Sequence, residues 1–204
     1  MDKIRVLIVD DHALVRRGLI ALLGTEPGVD VVGEAEDGAA AVRKALRLRP
    51  DVVVMDIMMP GTDGIAATRE LKERLPGVRV LILTTSTASD DIARALEAGA
   101  SGAITKSTAN AKLIIALKAV AAGRRYLAPE IEELMTADPP VQKLTDRQTE
   151  ILRSVTRGLT NADIALQLGI GAESVKDHLN AIFAKIGAAN RSEAVAIALR
   201  KHLV

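Results

Sequence analysis

From residue 3 to about residue 123 the chain alternates short aliphatic runs with longer segments whose apolar positions recur every three or four residues. The runs are IRVLIVD (4–10), VDVVGEA (29–35), DVVVMD (51–56), VRVLILT (78–84) and SGAIT (101–105). Between them lie helical patterns at about 12–23, 38–48, 64–74, 89–98 and 109–122. Near-continuous aliphatic runs of this length suit strands buried on both faces. Leu14, Leu19, Leu22 and Leu23 have the spacing of a helix face turned to a core. Five strands alternating with five helices predict an α/β domain: a doubly wound, five-stranded parallel sheet, flavodoxin-like, with helices on both faces.

From Pro129 the pattern changes. The stretch APEIEELMTADPPVQ holds one short helical pattern and then Pro139-Pro140, which no helix interior accommodates. The division expected is a first domain over 1–127, a linker over 128–141 and a second domain over 142–204. The second domain has four helical patterns and no strand, at about 145–157, 160–168, 171–186 and 192–202, so an all-α four-helix fold is expected. Thr145 is placed to cap the first of these, and Gly158, Gly169 and Gly187 punctuate helix ends. In TNADIALQLGIGAESVKDHLNAIFAKIG two helices flank a glycine-containing turn, with Ala165 small where they must approach. Ile164, Leu168, Val175, Leu179, Ile182 and Ile186 supply their buried faces. That spacing reads as a helix-turn-helix, whose second helix enters the major groove of DNA. The plain alternative is an ordinary helical bundle.

Composition narrows the chemistry. The 204 residues include no cysteine, which excludes thiol chemistry, disulfides and cysteine-ligated zinc. The start, MDKIRVLIVDDH, lacks the layout of a signal peptide, and no apolar stretch approaches the ~20 residues of a membrane span. A cytoplasmic protein without a membrane partner is expected. The net charge of +1 conceals an asymmetry: residues 141–204 carry nine Lys/Arg against six Asp/Glu, and the rest of the chain carries eighteen against twenty. The tail is thus the half suited to phosphates. One Phe and one Tyr leave no stacking platform for single-stranded nucleic acid.

In a parallel sheet every strand delivers its carboxyl end to one edge. Strand 1 ends at Asp10-Asp11, strand 3 at Asp56, strand 4 at Thr84, and strand 5 stops just before Lys106. Three acids, a hydroxyl and an amine should therefore meet in one crevice. Any one of them alone also fits a turn-forming role. Together, the unpaired carboxylates repel, and a divalent cation relieves that repulsion; all-oxygen ligation with retained waters suits Mg²⁺.

Over residues 3 to about 123 the motifs VDDH, DVVVMDIMMPGTDG, LILTTS and GAITKS resemble the receiver domain of bacterial two-component response regulators. The resemblance implies that Asp56 is the phosphoacceptor, and that Asp11, Asp56 and the backbone carbonyl of Met58 hold Mg²⁺, with Asp10 acting through a metal-bound water. It implies that Thr84 hydrogen-bonds the phosphoryl group and that Lys106 pairs with its oxygen. Ala103 stands where the family carries an aromatic that swings inward, so the relay is expected to run through Thr84 and the 85–90 loop. Ser107 follows Lys106 where proline is common. A haloacid-dehalogenase-type phosphatase would need a second acid at Met58, and a flavodoxin would need a phosphate-cradling loop where DDHALVRRG stands.

The segment LTDRQTEILRSVTRGLTNADIALQLGIGAESVKDHLNAIFAKIGAANRSEAV resembles the LuxR/FixJ/NarL-type DNA-binding domain. By position, Lys176 and Asn180 should face the groove with Asp177 between them. Ser174, His178, Thr160, Asn161, Lys185 and Arg191 are candidates for contacts to the DNA backbone; His178 alternatively packs between helices. Gly171-Ala172 replaces a common Ser-Glu helix start, and Ala162 a frequent basic residue. Segment 171–186 is electrically neutral, which makes paired half-sites on double-stranded DNA, bound by a homodimer, the natural arrangement. The last helix, SEAVAIALRKHLV, offers either a dimer face or core packing. The function expected is a transcription factor rather than an enzyme, phosphorylated by a sensor histidine kinase and dimeric when phosphorylated. The alternatives are a phosphorylation-independent regulator of the same build, or a receiver-based signalling scaffold.

Overall fold

The structure is a computed structural model describing residues 3–85 and 88–204. The chain forms two compact units that divide between Asp138 and Pro139. The first unit is built on strands β1 (Ile4–Val9), β2 (Val29–Ala35), β3 (Val52–Met55), β4 (Arg79–Thr84), β5 (Gly102–Thr105) and β6 (Tyr126–Leu127). Their order in the sheet is β2-β1-β3-β4-β5-β6, and every pairing is parallel. Helices α1 (Ala13–Gly24), α2 (Gly38–Leu48), α3 (Gly64–Arg74), α4 (Ser89–Glu97) and α5 (Ala109–Ala121) link successive strands, and α6 (Pro129–Ala137) follows β6. This is the doubly wound α/β fold that the alternating pattern predicts.

The aliphatic runs form strands because both sheet faces are covered. Val6, Leu7, Ile8 and Val9 of β1 and Val52 to Met55 of β3 are fully buried. Each such side chain contributes ~1.5–3 kcal/mol relative to exposure. Aspartates cap two of the helices: Asp37 accepts from the Ala40 amide and Asp63 from the Ala66 amide, both at 2.7 Å. Register does the rest. Val9 pairs with Met55, so Asp10 and Asp56 leave neighbouring strands at the same level, and the Asp56 amide donates to the Val9 carbonyl at 2.9 Å. Thr84 pairs with Thr105, and the Lys106 amide donates to the Thr84 carbonyl at 2.8 Å.

Three features differ from the sequence reading. Leu14 is 83% exposed rather than core-facing. The buried stripe of α1 runs through Leu19 and Leu23, with Val15 and Leu22 partly covered, and Leu14 lies one residue off it in the first turn. A sixth strand is present: Tyr126 and Leu127 pair with Gly102 and Ala103. Two residues are too few to show alternation. Within 128–141 the short helical pattern forms α6, residues 129–137, which opens on Pro129; beyond that pattern, it buries Ile131 in the first unit's core.

The second unit is α7 (Asp146–Thr156), α8 (Asn161–Leu168), α9 (Ala172–Ile186) and α10 (Arg191–Arg200). Thr145 and Gln148 form a capping box on α7, as do Thr160 and Asp163 on α8. Gly169 and Gly187 end α8 and α9 in the left-handed region, with φ of 64° and 73°. Gly171 starts α9 without a side-chain cap, as its lack of a hydroxyl requires. Ile151, Leu152, Ile164, Val175, Ile182 and Ala198 centre a separate core. Among the described residues no helix is long and apolar enough to cross a membrane.

Candidate functional sites: a strand-edge carboxylate pocket and a recognition helix

At the carboxyl edge of the sheet, Lys106 reaches back across the strand ends. Its Nζ lies 2.6 Å from Asp56 Oδ2 and 2.6 Å from Asp10 Oδ2. The contact to Asp56 is a well-aligned hydrogen bond; the one to Asp10 is an ion pair outside hydrogen-bond alignment. Asp10 and Asp56 are almost fully buried, and Asp11 beside them is partly open to solvent. The Met58 amide approaches Asp56 Oδ1 at 3.3 Å, and the Met58 side chain points outward, 49% exposed. Thr84 is fully buried at the end of β4. The expected relay loop 85–90 includes Ser86 and Thr87, which lie outside the described residues. Ala103 is fully buried in β5, and the Lys106–Ser107 peptide is trans.

The electrostatics follow from burial and charge count. Burial, reinforced by the Asp10 charge, pushes the Asp56 carboxyl above its ordinary range, although the Lys106 ammonium draws it back. Burial alone would lower Lys106, but two carboxylates outweigh it and hold its pKa above the usual lysine value. The pocket thus sets three carboxylates against one ammonium. It is short of positive charge, and its ligands are hard oxygens, the donor set a divalent cation takes. Asp10, Asp11 and His12 have ligand atoms within 4.8 Å of one another.

In the second unit α9 presents an exposed stripe. Ser174, Lys176, Asp177 and Asn180 are exposed along it, whereas Val175, Leu179 and Ile182 are buried. Lys176 Nζ pairs with Glu173 Oε1 at 2.9 Å, which raises the lysine pKa. His178 is half-buried. Lys185 turns inward, donating to the Lys143 carbonyl at 3.0 Å and to Gln148 Oε1 at 2.8 Å. Arg191 donates to the Leu159 carbonyl and, at 3.2 Å, to Asn161 Oδ1. Thr160 is held by Asp163. The structure therefore gathers Lys176, Asp177 and Asn180 on one outward face, while Lys185 and Arg191 bind α9 and α10 to their neighbours.

Comparison with known proteins matches residues 6–118 to the response regulator receiver domain and residues 142–198 to the bacterial regulatory proteins of the luxR family. The chain belongs to the LuxR-type response regulators. The transcriptional regulatory protein LiaR of Bacillus subtilis (strain 168) is 36% identical over 209 residues, spanning 98% of this chain and 99% of LiaR. The crystal structure of response regulator ChrA, from a heme-sensing two-component system, is 41% identical over the whole of both chains, with a TM-score of 0.58. A structure of two RcsB dimers bound to two parallel DNAs is 25% identical, covers 98% of this chain and 99% of that one, and has a TM-score of 0.72. This response regulator is accordingly a transcription factor with a receiver and a LuxR-type DNA-binding domain.

Three residues around the receiver pocket carry roles that the sequence reading missed. His12 Nδ1 lies 2.7 Å from Asp11 Oδ1, and its amide donates to Asp10 Oδ1 at 2.8 Å. Arg16 Nη1 donates to the Asp10 carbonyl at 2.7 Å while its Nε meets Glu34 Oε2 at 3.0 Å, so the acid-bearing loop is gripped from behind. Glu130, in the first turn of α6, accepts from Thr108 and pairs with Lys112, both at 2.5 Å. His12 and Arg16 sit close enough in sequence to the acid pair to invite attention. Glu130 lies in the short helical pattern of the linker segment, far in sequence from the acids, and left no such signal.

Proposed function

We propose that this response regulator is switched by transfer of a phosphoryl group to Asp56 from a sensor histidine kinase, and that the phosphorylated form dimerises on paired half-sites of double-stranded DNA. The observation that carries the reading is Asp56 itself, a buried carboxylate hydrogen-bonded at 2.6 Å to Lys106 and flanked by Asp10 and Asp11. A carboxylate oxygen of Asp56 attacks phosphorus; the O–P bond forms as the bond to the donor imidazole nitrogen breaks, and the imidazole leaves with the electron pair. Lys106, now facing a dianionic group in place of a carboxylate, pairs with a phosphoryl oxygen, and the Thr84 hydroxyl donates to another. Mg²⁺ is the cofactor that fits, and Asp10, Asp11, Asp56 and the Met58 carbonyl would hold it. When bound it supplies charge neutralisation on the transferred group.

The test is sedimentation velocity of wild type and Asp56→Ala, each with Mg²⁺, with and without beryllofluoride. Wild type alone should shift toward dimer. If beryllofluoride is bound and neither protein shifts, dimerisation is not the output. A regulator working without phosphorylation then leads, a reading that the buried Ala103 favours because methyl has no rotamer to switch.

On DNA, we propose that Lys176 and Asn180 read base edges from the outward face of α9, with Asp177 between them and Ser174, His178, Thr160 and Asn161 near the phosphates. Lys185 and Arg191 fit better as braces that fix the recognition helix, given their internal partners. Against a site selected from random DNA by the wild-type chain, Lys176→Ala should weaken binding by roughly 1–3 kcal/mol and Asn180→Ala by a similar amount. Fluorescence anisotropy across a salt series checks this. A loss under about twofold in both variants would remove α9 from the reading role.

A further inference from the structure

Glu130 lies in the first turn of α6, the helix that ends just before the division between the two units. Its carboxylate reaches back to the loop that carries Lys106. Oε1 accepts from the Thr108 hydroxyl at 2.5 Å and, more distantly, from the Thr105 hydroxyl at 3.4 Å, while Oε2 pairs with Lys112 at 2.5 Å. Lys112 and Thr108 together hold the carboxyl at a pKa of about 2, so it is ionised throughout the physiological range. The hydroxyls form a chain of their own: Thr105 Oγ1 lies 2.9 Å from both Ser107 Oγ and Thr108 Oγ1. Thr108 precedes α5 as its cap residue but makes no side-chain cap bond, so its hydroxyl serves this cluster rather than the helix.

The cluster touches the phosphorylation site through the backbone. Thr105 is the register partner of Thr84, and Lys106, the next residue, donates its amide to the Thr84 carbonyl and its ammonium to Asp56, while pairing ionically with Asp10. A phosphoryl group on Asp56 redirects both the Thr84 hydroxyl and the Lys106 ammonium. The end of β5 is paired with Thr84 and runs directly into Lys106, so a shift of either is transmitted to it. Ala103 offers only a methyl group, with no rotamer to carry that movement sideways along β5, whereas the hydroxyl chain to Glu130 leads directly to α6.

We infer that Glu130 is a positioning residue that latches the Lys106-bearing loop to α6, so that phosphorylation of Asp56 loosens α6 and thereby the segment entering the DNA-binding domain. The inference rests on the Asp56 switch proposed above. It differs from that switch in assigning the route out of the site.

The experiment is hydrogen–deuterium exchange of the full chain with Mg²⁺, with and without beryllofluoride, with occupancy of the site read independently by fluorine NMR. Peptides over 104–108 and 129–137 report the loop and α6. In wild type, bound beryllofluoride should raise α6 exchange about threefold. In Thr108→Val the loop should still respond while the α6 response falls to within about 1.5-fold of no change. Thr108→Ser, which keeps the hydroxyl, should restore it. Glu130→Gln should decouple α6 in the same way and also raise its exchange in the resting protein; should that variant misfold, the Thr108 pair decides alone. An α6 response in Thr108→Val equal to wild type overturns the latch, as does an unresponsive wild-type α6 with beryllofluoride bound. Absence of bound beryllofluoride overturns the Asp56 reading and the latch with it.

Discussion

Asp56→Asn should take up no phosphoryl group from acetyl phosphate or from a phosphorylated histidine kinase domain under conditions that label wild type. Asparagine preserves the shape of the side chain and can still contact Lys106, but its amide oxygen is a poor nucleophile. The substitution should not weaken the fold. Burial and the Asp10 charge raise the Asp56 pKa, so its ionised form is destabilised in the folded state relative to water. At neutral pH the neutral amide removes that cost while Lys106 retains Asp10 as a partner at 2.6 Å. The thermal midpoint should therefore stay at or above wild type, which separates a chemical loss from a structural one. Lys106→Met is the complementary variant. It leaves Asp10 and Asp56 buried together without their shared cation and should slow phosphoryl uptake by roughly 10²–10³-fold, the usual effect of removing one charged donor from a developing anion. A melting curve and a labelling time course decide both. Residual labelling of Asp56→Asn at the wild-type rate would place the acceptor elsewhere.

Gly64→Ala should damage the same site by a different route. A methyl group at Gly64 would stand 1.9 Å from the Asp56 carbonyl oxygen, 2.9 Å from its carbonyl carbon and 3.0 Å from Ile57 Cα. All three are backbone atoms of the segment that carries the phosphoacceptor, so no side chain can swing away to make room. The Gly64 amide also donates to the Ile57 carbonyl at 2.9 Å, which holds the two segments at this spacing. Relief requires moving either the start of α3 or the end of β3. The expected cost is about 3 kcal/mol, the upper end of overpacking effects. That corresponds to a fall of roughly 10 °C in the midpoint for the receiver. Phosphoryl uptake should fall with it even below the melting range, because Asp56 is displaced from Lys106. Gly18→Ala is the control: nothing lies within 4 Å of its added methyl, and its position inside α1 predicts a gain of ~0.5–1 kcal/mol. Circular dichroism melts of the three proteins test the contrast, and equal midpoints for Gly64→Ala and wild type would refute the close-packing account.

Much of the architecture was legible because local pattern and tertiary demand agree. The aliphatic runs ended within a residue or two of β1 to β5, and the helix punctuation by Gly169 and Gly187 fell where the left-handed caps stand. Disagreements arose where one side of an element has no neighbour. Leu14 has the residue type of a core position, but whether it is covered depends on the angle at which α1 lies on the sheet. Lys185 and Arg191, candidates for contacts to the DNA backbone, also have partners that the sequence does not show, because long side chains choose among carbonyls that only the folded neighbours supply, such as Lys143 and Leu159.

The division has a physical basis. By itself the sequence determined the two-unit organisation, the parallel α/β class and the arrival of Asp10, Asp56, Thr84 and Lys106 at one edge, since alternation and strand ends are properties of short stretches. Only the tertiary structure decided that Lys106 shares its charge between Asp10 and Asp56, that Arg16 grips the acid loop, and that Glu130 meets Thr108 across 22 residues of chain. Those contacts depend on side-chain reach and register over distances at which sequence carries no periodic signal, and register is set only when the whole sheet closes on its core.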